Sequence, residues 1–225
     1  HKYLDSYLSK SVIGTRALSS VLVKGKTDGS GIKVTTYNIT YCTTGMYQNA
    51  LATAGIEDAE IVVAGPYNIS GTAALVGAIK SYENMTGETV SQENVDTATN
   101  ELVVTGKLAE SVGDSDKAEQ LVGAVKEQVV EGSDNGKKMT EEEIGNVVDQ
   151  AAQEMDVQLS DEDRQEIVDL MDKIKGLDID VDSLKEQAKD LYDKIDDLGL
   201  KLDWNQEKVQ GFFSKIIEFF KNLFS

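Results

Sequence analysis

The sequence predicts an α+β fold: a small mixed sheet, made of a hairpin and a βαβα unit, followed by an acidic, mostly antiparallel helical region. Three observations predict it. Runs rich in Val, Ile, Thr and Tyr occur only in the early part of the chain. After residue 87 the apolar residues recur at helical spacing. Charge divides the same way. Residues 1–112 carry eleven acids and eight bases, a net of −3, and residues 113–225 carry twenty-nine and fourteen, a net of −15, together the −18 of the whole chain.

Residues 17–23 (ALSSVLV) and 32–42 (IKVTTYNITYC) read as strands, and the glycine-rich KGKTDGSG between them reads as the turn of an antiparallel hairpin. Thr43 or Thr44 is placed to cap a helix through MYQNALATAG, which Gly55 ends. The continuous apolar run at 59–64 (AEIVVA) fits a strand buried on both faces, with Pro66 expected to stop it. Ser70 or Thr72 then opens a second helix. Strand, helix, strand, helix predicts parallel pairing of 32–42 with 59–64.

Later helices are expected to start at Ser91 and at Asp114 or Ser115. EGSDNGKK (131–138) reads as a solvated linker between an α/β domain at 1–131 and a helical region at 139–225. Within that region Thr140 with Glu143, and Ser160 with Asp163, form capping boxes ahead of amphipathic helices.

Composition excludes several functions. A net charge of −18 and a pI near 4.4 repel phosphate, so nucleic acid is not an expected partner. Cys42 is the single cysteine and His1 the single histidine. A disulfide within the chain, a thiolate zinc site and a histidine-activated nucleophile are therefore not expected, and neither is a metal or cofactor. Asp178, Asp180 and Asp182 alternate as in a calcium loop, but Ser183 stands where that loop needs Gly, and Lys189 where it needs Glu.

All five phenylalanines lie in residues 211–225. On a helical wheel Phe212, Phe213, Ile216, Phe219, Phe220, Leu223 and Phe224 share one face. Each Phe can bury about 150–250 Å², and the five together exceed the roughly 300–600 Å² patch a monomer usually exposes. The stripe needs a cover. Its own domain is the favoured one, with self-association or a membrane surface as the alternatives.

A ligand site, if there is one, is expected at the carboxyl ends of the two parallel strands, where Tyr41, Tyr67, Asn68, Ser70, Gly71 and Thr72 converge. A helix opened by Ser-Gly-Thr can receive an anion there, although capping and close packing explain the same residues.

The run from residue 15 to 77 carries a strand with N-I-T, then M-Y-x-N-A-L-A-T-A-G, then S-G-T-A-A-L. With the LYDKI stretch and the Phe-rich end, it resembles the YpuA-like family of predicted secreted proteins of Gram-positive bacteria, a domain of unknown function. The resemblance implies export, with a signal peptide and a further strand–helix segment upstream, and it supplies no catalytic residues. A sheet lacking that segment would carry an open edge that a second copy could fill. The function expected is therefore non-enzymatic binding or assembly at the cell surface, with cell-envelope components or a second copy as partner. The alternatives are a self-assembling structural subunit and a cell-wall hydrolase using Asp and Glu.

Overall fold

The computed structural model describes residues 17–27, 29–133, 138–177, 179–180 and 184. The chain divides into two units, His1–Lys189 and Asp190–Ser225, and every described residue belongs to the first. The Phe-rich stripe from Phe212 to Phe224 lies outside the described residues, as does most of the Asp178–Asp182 stretch.

Three strands and six helices follow one another along the described chain: β1 (Ser20–Gly25), β2 (Ile32–Ile39), α1 (Thr44–Thr53), β3 (Ala59–Ile69), α2 (Thr72–Thr86), α3 (Gln92–Val112), α4 (Ser115–Ser133), α5 (Glu141–Glu154) and α6 (Asp161–Ile174). This is the expected α+β class with a small mixed sheet. The hairpin, however, does not form. The sheet order is β1-β3-β2, with β1 antiparallel and β2 parallel to β3.

The reason lies in Asp58 and in the apolar run that follows it. The Asp58 carboxylate accepts the amides of Gly29 (3.1 Å) and Gly31 (2.8 Å), and its carbonyl accepts the Lys26 amide (3.3 Å). The β1–β2 loop is thus pinned across the entrance to β3 instead of closing a tight turn. The strand with the longest apolar run, β3, takes the centre, where both of its edges find partners and Ile61 and Val63 are fully buried.

Pro66 does not stop β3, which continues to Ile69. The last β1 partner is Ser20, opposite Ala64, so a missing N–H at 66 breaks no ladder on that side. On the β2 side the register jumps from Tyr37↔Ala64 to Ile39↔Ile69. One residue of β2 therefore faces four of β3, and Pro66 sits in that bulge.

One face of the sheet, carrying Ile32, Val34, Ile61 and Val63, is buried beneath α1 and α2. Its other face carries Leu22 and Tyr37, 66% and 58% exposed. The period-2 alternation is what puts these two sets on opposite sides.

Capping follows the sequence in most places. The Thr43 hydroxyl accepts the Met46 amide (3.1 Å) and Ser91 the Asn94 amide (3.0 Å), while Asp114 accepts the amides of Asp116 and Lys117. Both capping boxes are closed. The exception is α2, whose cap is neither Ser70 nor Thr72 but Gly71 at φ 89°, with no side-chain cap bond.

The stretch expected as a linker at 131–138 is helical at its start, since α4 runs to Ser133, and the helices on either side of residues 134–137 pack together. Lys173 on α6 donates to Asn100 on α3 (2.5 Å), and Lys107 on α3 pairs with Glu166 on α6. Arg164 on α6 grips Asp149 on α5 through Nε and Nη2 at 2.6 and 2.8 Å. At the centre lies α4, buried on every side from residue 118 to 130 because α1, α3, α5 and α6 surround it. No described helix is long and apolar enough to cross a membrane.

Candidate functional site

The carboxyl ends of β2 and β3 meet as expected of neighbouring parallel strands. The Thr40 amide donates to the Ile69 carbonyl (2.9 Å), and the Cys42 amide to the Ser70 carbonyl (3.1 Å). These two bonds carry the pairing past the ends of the strands and set 40–42 against 69–70.

The six residues expected to converge here have different fates. Tyr67 and Asn68 are exposed, Tyr67 by 56%. Ser70 is half-buried. Gly71 and Thr72 are interior, and the Thr72 hydroxyl is buried with no hydrogen-bond partner. Tyr41 turns toward α3, where its ring lies against Gly106. Burial, reinforced by Glu110 and Cys42, pushes its phenol up to about 12.

Gly71 is required by its surroundings. At φ 89° its backbone occupies the left-handed region, and a Cβ would run into the Ile39 side chain and the Tyr47 hydroxyl. That hydroxyl donates to the Gly71 carbonyl (2.7 Å), locking α1 to the start of α2. Burial raises the Tyr47 phenol far above its usual range, with Cys42 adding to the effect. The Cys42 thiol, buried beside it, is pushed up to about 12 by burial, which its hydrogen bond with Tyr47 offsets only in part. A thiol held protonated in this way is a packing group, not a nucleophile.

Sequence reasoning missed a second concentration of polar groups. Deep between α1, α3 and α4, Lys126 donates to Glu101 Oε1 (2.9 Å), the Asn49 carbonyl (2.8 Å) and Thr53 Oγ1 (3.2 Å). The Thr53 hydroxyl donates in turn to Glu101 Oε2 (2.5 Å). Side-chain exposures of 2% for Lys126 and 0% for Glu101 make this a fully buried ion pair. Close by, Asn49 donates to the Glu119 carbonyl (3.0 Å), and the Thr43 hydroxyl bonds the Glu119 carboxylate. All three ammonium protons of Lys126 can be satisfied, so the cluster is closed to a ligand. Among the described residues, no group of three or more His, Cys, Asp and Glu is arranged to hold a metal.

Missed as well were Tyr37 and Asn38, which border the bulge from the β2 side. Asn38 adopts a left-handed φ of 56° and donates its amide to the Gly65 carbonyl (3.0 Å). A signal for them was in the sequence: Tyr37-Asn38-Ile39-Thr40 is matched by Tyr67-Asn68-Ile69-Ser70.

Fold and site together describe an α+β protein with one parallel β–α–β–α unit, whose open strand ends stand apart from a sealed polar interior. The chain belongs to the family described as protein of unknown function (DUF1002), whose model matches residues 1–191. It is similar to the uncharacterised protein YpuA of Bacillus subtilis (strain 168), with 39% identity over 187 residues, 83% of this chain and 63% of that protein. The chain thus spans less than two thirds of the length of that relative. No solved structure matches it.

Proposed function

We propose that this chain is a non-enzymatic binding protein of the bacterial cell surface that holds its ligand at the carboxyl ends of β2 and β3. The observation that carries the reading is the contrast in exposure there. Tyr67 and Asn68 stand open to solvent at the end of a parallel strand pair, the place where α/β sheets take ligands. Support against catalysis comes from Cys42, whose buried and protonated thiol has no thiolate character at neutral pH. Placement at the cell surface rests on the family resemblance.

The test is co-sedimentation of the purified chain with isolated bacterial cell walls, followed by assay of the supernatant for released sugars and peptides. Retention on the walls, lost in Tyr67→Ala, with nothing released, is the expected result. Soluble products whose release depends on Tyr67 or Ser70 would contradict it.

One observation favours a second reading, assembly with further copies. Among the described residues β1 and β2 each pair on one side only, which leaves both edges of the sheet open. Sedimentation at several concentrations tests it, and a monomer unchanged at high concentration counts against it.

A further inference from the structure

We infer that the paired Tyr-Asn-Ile-Thr/Ser segments form a platform for an uncharged glycan, with Tyr37 and Tyr67 as its stacking surfaces. This deepens the binding reading above and rests on it.

The two segments are structural counterparts. Each lies where a parallel strand leaves the sheet and feeds a helix, β2 into α1 and β3 into α2. Ile39 pairs with Ile69, so the copies abut at equivalent positions. The bulge between them is held by the Asn38 amide on the Gly65 carbonyl (3.0 Å). Gly65 is itself enclosed by the Tyr67 carbonyl, the Asn38 carbonyl and the Ile69 side chain. This is a built corner of the sheet, and it presents two tyrosines, 58% and 56% exposed. Exposed aromatic side chains grouped at one corner, unlike ones scattered singly, mark a surface for interaction.

Charge selects the occupant. Asp, Glu, Lys and Arg make up 28% of the chain, yet none occurs in residues 34–56 or 61–79. The exposed positions there are Thr35, Tyr37, Asn38, Thr40, Gly55, Tyr67 and Asn68, together with Pro66. An anionic ligand would meet a net charge of −18 and no lysine or arginine in these segments. A cationic ligand would find no carboxylate in these segments. A purely apolar one would desolvate the amides and hydroxyls without replacing their hydrogen bonds. A pyranose ring has an apolar C–H face to set against a tyrosine and a rim of hydroxyls for amides and hydroxyls to bond. An uncharged sugar fits all three conditions.

The test is calorimetric titration of the folded chain with a neutral N-acetylhexosamine tetrasaccharide and, separately, with polyglycerol phosphate. Saturable binding of the tetrasaccharide is expected, weakened about tenfold or more in Tyr37→Ala and in Tyr67→Ala, with the melting temperature of each variant unchanged. No saturable binding of the tetrasaccharide, or tighter binding of the phosphate polymer, overturns the glycan assignment. So does a concentration-dependent dimer that the same two substitutions abolish, since the tyrosines would then serve a second copy. The cell-wall assay separates the two levels. Walls that retain the chain through Tyr67 while the tetrasaccharide fails to bind remove the glycan and leave the binding reading, whereas walls that retain nothing remove both.

Discussion

Around Lys126 the protein takes full charges out of water, and at the ends of β2 and β3 it leaves uncharged polar groups in it. The interior cluster has a partner for every proton of Lys126 and almost no exposure. The strand ends have two tyrosines more than half exposed beside solvent-facing asparagines. Polarity alone therefore does not mark a functional site. A buried, fully bonded charge pair fixes how three helices dock, at a desolvation cost that only good geometry offsets. An exposed cluster on a rigid corner has bonding capacity left over, and that capacity is what recognises a ligand.

The comparison breaks most visibly at Lys126. Lys126→Met leaves Glu101 buried without its cation, and the expected loss is about 3–5 kcal/mol in urea unfolding. Glu101→Leu combined with Lys126→Met should recover most of it, because both charges then leave the interior together. A single variant as stable as the double one would mean that the pair is not sealed.

Next in size is Gly71→Ala, where a Cβ meets Ile39 and Tyr47 on a left-handed backbone. The expected cost is about 2–4 kcal/mol by the same unfolding measurement.

Alkaline pH acts on the same corner through Cys42. The thiol ionises at its ordinary 9.0 once unfolded but only at about 12 when folded. Above pH 9 the unfolded state has released a proton that the folded state still holds, so stability falls as pH rises from 9 toward 12. Cys42 alone should cost about 1 kcal/mol by pH 10, and the raised phenols of Tyr41 and Tyr47 extend the loss to higher pH. Urea midpoints measured at pH 7.5, 9 and 10 check this, and Cys42→Ala should show the shallower decline.

The smallest effects are expected at the strand ends. Tyr37→Ala and Tyr67→Ala should each change stability by no more than about 0.5 kcal/mol. A large loss at either would show that its ring packs inward and would remove it from the binding surface.

What the sequence made legible was local. Thr43, Thr140 and Ser160 announce their helices because a cap depends on residues three apart. The apolar runs at 32 and 59 announce strands, and the helix between them announces their parallel pairing. Partner choice was not legible: KGKTDGSG looks like a hairpin turn until Asp58, distant in sequence, captures its amides. Pro66 looked like a stop because the rule that ends a strand at proline assumes a neighbour on its N–H side. Lys126 and Glu101 read as ordinary polar positions, since nothing in a helical pattern reveals that neighbouring helices close over both faces. The repeated Tyr-Asn-Ile was visible, but as two short strings whose adjacency only the ladder supplies.

The most direct test of a sealed interior beside an open corner is tyrosine nitration of the native protein at pH 8, mapped by peptide mass. Among the described tyrosines, Tyr37 and Tyr67 are predicted to react first, and Tyr47, beneath Gly71, only after unfolding. Nitration of Tyr47 at the rate of Tyr67 in the folded chain would contradict the account.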